Sequence, residues 1–299
     1  RALVALLTRG ERAGRSFAAG AHLVLAALLQ SPGFLYRASR PDTRIPERAD
    51  AYTLASRLSF LIWDAGPDER LLERAERGEL ATTKGLLATT DAMLADPRAR
   101  RGLRAFAEDW LGLYRLDVAT RSPRIFPRWS PALNRDMKEQ TLRFVERIAR
   151  EGDLMRLFTD TRADLNPALA DIYGVPSRGS GFELVDLADH PHRIGLLTQP
   201  AVLGAFAGIE SVSIVDRGLY VLRTFLCEDV PAPPDSLIAA FKPIEGKLTQ
   251  RQKFEKHASA IACTGCHMDI DPLGHPLEPF DAVGGHHDED EHGNVILSS

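Results

Sequence analysis

The chain is poor in cysteine, with three in 299 residues. Three thiols cannot build the multi-bridge framework of a small secreted domain, so the fold must rest on a core of its own. Long apolar runs are also missing. The strongest, HLVLAALL at residues 22–29, falls far short of the roughly 20 residues that cross a bilayer, so no transmembrane segment is expected. Neither sign of charge dominates: 37 Lys and Arg against 41 Asp and Glu give a formal charge of −4. The basic residues are scattered rather than striped, which argues against nucleic acid as a partner. Strand signals are scarce and no internal repeat is visible. The chain begins at Arg1 without Met or a signal-like leader, and it stops in mid-pattern at HGNVILSS. Processing, a removed export signal or a longer parent protein is the expectation.

What is present reads as helix. Ser16 is placed to cap FAAGAHLVLAALLQ, which Ser31-Pro32-Gly33 stops. A polar link at residues 41–48 precedes an apolar-faced helix from Ala51 to Trp63. Gly66-Pro67-Asp68-Glu69 starts another that ends near Gly78, and one more lies near Lys84 to Leu94. Leu103, Phe106, Ala107, Trp110, Leu111 and Tyr114 recur at helical spacing over Arg98 to Leu116. Ser130-Pro131 opens a helix with Met137, Thr141, Phe144, Val145 and Ile148 on one side, and Gly152 ends it. LNPALADIYGV predicts a short helix. Beyond Pro176 the texture turns to Gly, Ser, Pro and His. A helix-like block at 196–226 and a Pro-rich break, CEDVPAPPDS, follow. A helix over 248–260 then runs into Cys263.

The expected class is mainly α, with several helical domains and a small C-terminal segment of different character. The expected divisions are an N-terminal helical segment at 1–45, a helical domain at 46–175, a loop-rich second helical domain with its linker at 176–245, and a cofactor segment at 246–299.

That last segment carries the chemistry. Cys263-Thr-Gly-Cys266-His267 has the spacing at which two thiols reach the two vinyl groups of a haem, while the adjacent imidazole lies under the iron. Haem c bound through Cys263 and Cys266, with His267 as proximal ligand, is the leading reading. A zinc site needs a second ligand pair, and only scattered histidines such as His257 and His275 are available. A redox dithiol wants a strand-rich setting, and a five-residue motif can also arise by chance. Asp271-Pro272-Leu273-Gly274 reads as a turn. Leu277, Pro279, Phe280 and Val283 suit either a haem face or ordinary packing. Cys227 is expected to be a small buried apolar residue.

CTGCHMDIDPLGHPLEPFDAVG resembles the haem segment of the large multidomain cytochrome proteins of planctomycetes and related bacteria. The shared positions are Cys263, Cys266, His267, Asp271, Pro272, Gly274, Leu277, Glu278, Phe280, Asp281 and Gly284. SPGFLYR, ASRLSFLIWDAGPDERLLERAERGEL, MKEQTLRFVERI, LNPALADIYGV, RIGLLTQPAVL and DRGLYVLRTFLCEDVPAPP resemble successive upstream blocks, in order. His275 departs from the pattern and is expected at the surface. The resemblance implies an exported haem protein in the periplasm or at the cell surface. Electron transfer within a larger assembly is the expected function, with redox partner proteins and other cytochrome subunits as partners. A haem enzyme with an open distal side and a metal-stapled structural module are the alternatives.

The sixth iron ligand separates the first two. Only 32 residues follow His267, and their one methionine, Met268, is its neighbour and cannot reach the opposite haem face. Met137 and His257, which match family positions, are the distal candidates. His190 and His192 are expected in a solvated loop, and His286, His287 and His292 of the charged tail HHDEDEHG in a solvated loop rather than its alternative, a metal site.

Overall fold

The computed structural model describes residues 1–36, 49–177, 179–234, 244, 246–258, 261–290 and 292–296. The expected link at 41–48 lies outside them. The chain forms two compact units, Arg1–Asp50 and Ala51–Ser299.

In the first unit, α1 (Ala2–Gly14) and α2 (Phe17–Leu29) form a hairpin, followed by a single turn, α3 (Pro32–Leu35). Ser16 accepts from the Ala19 N–H at 3.2 Å and caps α2 as expected.

The second unit is mainly helical. Three of its helices start on one device, a polar cap followed by proline. Asp96-Pro97 opens α7, Ser130-Pro131 opens α8 and Asn166-Pro167 opens α10. In each case the cap side chain takes an orphan N–H while proline occupies a position whose N–H would be unpaired anyway. Among the described residues the α-helices run in the order α4 (Ala51–Trp63), α5 (Glu69–Glu76), α6 (Thr83–Leu94), α7 (Pro97–Trp110), α8 (Pro131–Glu151), α9 (Arg156–Thr159), α10 (Pro167–Tyr173), α11 (Pro200–Ala205), α12 (Ile214–Val221), α13 (Gln250–Ala258) and α14 (Ile261–Gly274). Two short strands, β1 (Arg162–Leu165) and β2 (Glu183–Asp186), pair antiparallel from Arg162↔Asp186 to Leu165↔Glu183.

Two apolar clusters result. A smaller one gathers Ala55, Trp63, Leu71, Ala75, Leu80 and Met93 from α4 to α6. The larger surrounds α8, which buries Leu133, Met137, Thr141, Phe144, Val145 and Ile148. It also takes in Leu277, Phe280, Ala282 and Val283 from the far end of the chain. The C-terminal segment is therefore part of the main core, and these apolar residues are spent on packing.

Several expectations need correction. The block at 196–226 is not one helix: a loop separates α11 from α12, and α12 continues as a π-helical turn, Leu222–Leu226. Asp271–Gly274 is not a turn; α14 runs through it with Pro272 inside. Cys227 is exposed and holds a left-handed φ of 55° at the end of the π turn. Phe106 on α7 and Tyr114 in the 3-10 turn after it, both expected on one apolar stripe over Arg98 to Leu116, are exposed. His275 is half-buried, and its Nε2 is shut from solvent without a hydrogen bond. Among the described residues no helix is long and apolar enough to cross a membrane.

Candidate haem attachment site

Cys263, Cys266 and His267 stand on α14 at i, i+3 and i+4, so they share one face. Both cysteines are free thiols; Cys263 is half-buried and Cys266 exposed. The same stripe continues through Ile270, Asp271 and Gly274. Its two halves do different work: the first presents thiols and imidazole, the second docks the helix.

Docking uses the absence of side chains. A Cβ on Gly218 of α12 would stand 2.3 Å from the Ile270 carbonyl oxygen, and one on Gly274 would stand 2.1 Å from that of Ile214. The helices therefore touch backbone to backbone, antiparallel, and fix where α14 sits on the domain.

The imidazole is oriented from behind. His267 Nδ1 lies 2.8 Å from Asp271 Oδ1, one helical turn on, and Asp271 is 8 % exposed. A carboxylate placed there accepts from an Nδ1–H and fixes the orientation of the ring, the arrangement found behind metal-bound histidines. Phe254 of α13 stacks on the ring with centroids 6.2 Å apart.

Helix α13 is itself anchored by the C-terminal segment. Thr249 and Gln252 form a reciprocal capping box, with Gln252 N–H donating to Thr249 Oγ1 at 3.2 Å and Thr249 N–H to Gln252 Oε1 at 3.1 Å. The Arg251 N–H donates to Glu278 Oε1 at 2.9 Å. Burial pushes the Glu278 carboxyl above its usual range, and its Oε2 has no hydrogen bond.

Two buried arginines hold the segment after α14 by its main chain. Arg217 of α12, 2 % exposed, donates to the carbonyls of Leu277 (2.5 Å), Phe280 (2.6 Å), Asp281 (3.0 Å) and Leu203 (3.3 Å). Burial lowers its pKa to about 10, so it remains charged at neutral pH. Arg193 donates to Gly284 O at 2.7 Å and lies over the Tyr173 ring. Between them Asp281 closes the turn, accepting from Val283 N–H (2.9 Å) and Gly285 N–H (2.7 Å) and pairing with His287 Nε2 (3.0 Å). Burial works to raise the Asp281 carboxyl, but His287 and the two N–H groups outweigh it and hold it below its ordinary range.

The residues fit a covalent haem by their donor set: two free thiols and one oriented imidazole on a single face. Among the described residues the two thiols join no group of three metal ligands. Of the distal candidates, Met137 is 1 % exposed in the core around α8, beside Gly204 of α11. The His257 side chain lies outside the described residues. Sequence reading missed the roles of Asp271, Arg193, Arg217 and Glu278. The available signal was their position inside the blocks DIDPLG, RIGLLTQP, DRGLYVL and LEPFD.

Residues 49–175 match the family model described as PSD4, protein of unknown function (DUF1592). Residues 193–290 match PSCyt3, protein of unknown function (DUF1588), whose name refers to a cytochrome and whose span contains the two thiols and His267. Both matches fit a multidomain protein associated with cytochromes. No curated protein and no solved structure matches the chain.

Proposed function

We propose that the chain is a c-type cytochrome module that carries one haem, joined to Cys263 and Cys266, with His267 as proximal ligand. One observation carries the reading. The three residues share a helical face, and the ligand imidazole is already oriented by a buried carboxylate. When bound, the haem supplies one-electron redox chemistry. The protein contributes a helix keyed to its domain, a histidine held in one orientation, and a phenylalanine against the imidazole. The expected role is electron transfer outside the cytoplasmic membrane, with redox proteins and further cytochrome subunits as partners.

Intact mass and haem staining on a denaturing gel test this in a host competent for cytochrome maturation. One covalent haem is expected on the parent chain and none on Cys263→Ala/Cys266→Ala. A parent chain with the mass of the bare polypeptide refutes the proposal.

A second reading, a haem enzyme with an open distal side, is favoured by the packing of Met137 into the core. Spectra of Met137→Leu and His257→Ala separate the two. Loss of a low-spin band in either variant identifies the distal ligand. A high-spin ferric spectrum in the parent chain, shifting with cyanide, supports the open site.

Asp271 sets the electron density on His267. Asp271→Asn replaces a charged hydrogen-bond partner with a neutral one, about half as strong. The expected result is an intact haem adduct with a midpoint potential higher by roughly 60 mV, a tenfold change in a one-electron equilibrium. Spectroelectrochemical titration reads it, and an unchanged potential shows that Asp271 does not act on the iron.

A further inference from the structure

The described residues contain a group of three convergent metal ligands away from the cysteines: His192, His286 and Asp288. They come from segments far apart in sequence, the loop after β2 and the chain's C-terminal tail. Their ligand atoms all lie within 4.8 Å of one another. The two imidazoles stack with centroids 4.1 Å apart and planes 17° apart, and His286 Nδ1 is 3.9 Å from Asp288 Oδ1.

The arrangement is held by backbone. Phe280 and His286 form an antiparallel bridge, and Ile296 N–H donates to Asp288 O at 2.9 Å. The loop is turned by Arg193 N–H donating to His190 O at 2.9 Å. Arg193 then donates to Gly284 O, which ties the two segments together one and two residues from the histidines. A cavity of about 320 Å³ opens beside both rings, walled by Phe158, Ile194, Leu197 and Phe280.

We infer that His192, His286 and Asp288 form a binding site for a divalent first-row transition ion. Two imidazole nitrogens and one carboxylate oxygen suit zinc and its neighbours rather than calcium or magnesium, which prefer oxygen ligands. Nitrogens on a tetrahedral ion with bonds of 2.0–2.1 Å stand about 3.4 Å apart, so the ligands close by small rotations of exposed or half-buried side chains. Three protein ligands leave a fourth position open, and the adjoining apolar cavity offers it room. An ion here would staple the C-terminal tail to the loop after β2. The site is independent of the haem proposal.

Calorimetric titration with Zn²⁺ tests it, using the full haem-loaded chain and, separately, the Cys263→Ala/Cys266→Ala chain, in which thiols cannot contribute. Saturable binding of one ion in both is expected. His192→Ala and His286→Ala should each weaken it at least tenfold, while His190→Ala leaves it unchanged. His192 is exposed, so its replacement leaves the core intact and decides the matter alone. No saturable binding, or binding indifferent to His192→Ala, overturns the inference. Binding that vanishes only with the cysteines does so equally, because it places the ion on the thiols.

Discussion

Arg217→Met should lower the melting temperature by about 10 °C while leaving the helical content of the folded state unchanged. Methionine retains an unbranched apolar stem but removes every donor. The carbonyls of Leu277, Phe280, Asp281 and Leu203 then lose the guanidinium. A buried acceptor without a donor costs about 1–3 kcal/mol. The change also removes the desolvation cost of a cation that has no carboxylate hydrogen-bonded to it, and this offsets part of the loss. A net loss of about 3 kcal/mol at roughly 2–4 °C each gives the stated shift for a unit of this size. Thermal melts by circular dichroism measure it. Arg217→Lys should recover only part of the loss, because one ammonium has three donors and no planar fork. A Met variant melting within about 2 °C of the parent would show that water or neighbouring N–H groups replace the guanidinium, and the clamp would be dispensable.

Alanine at three glycines should give opposite signs within two helices. At Gly265 of α14 an added Cβ meets nothing within 4 Å. Gly265→Ala should therefore stabilise by about 0.5–1 kcal/mol through backbone entropy. Gly274→Ala, nine positions on, drives a Cβ to 2.1 Å from the Ile214 oxygen, and Gly218→Ala drives one to 2.3 Å from the Ile270 oxygen. Both obstacles are main chain, so the helices must part. Overpacking costs about 1–3 kcal/mol, enough to cancel the helix-propensity gain and leave each variant less stable by roughly 1–2 kcal/mol. Chemical denaturation of the three variants reads the contrast. If all three stabilise, the helices are not in backbone contact and the docking geometry is wrong.

The helices were legible where local chemistry decides them. Ser130-Pro131 and Gly152 bracket α8 in the sequence as they do in the fold, because capping needs only neighbours. Pro272 misled the reading of Asp271–Gly274. Proline removes one hydrogen bond, yet packing of Ile270 and Gly274 on α12 keeps the helix going. The loop between α11 and α12 was illegible for the opposite reason: apolar residues there serve tertiary contacts and keep no helical period. The thiols and His267 were visible as a motif, since their spacing is local. Arg193, Arg217 and the His192–His286 stack were not, because each joins segments that only the fold brings together. A lone arginine in DRGLYVL looks like any surface arginine until its depth is known, and Cys227 looked like core until its exposure was.

The pairing of Gly274 with Ile214 and of Gly218 with Ile270 acts as a keyed joint. Sliding α14 by one turn, about 5.4 Å, would take Gly274 off the Ile214 carbonyl and, in one direction, put the Ile270 side chain in its place. The close approach therefore favours one register of the helix along its neighbour. The two thiols and the imidazole on the face of α14 keep a fixed place on the domain.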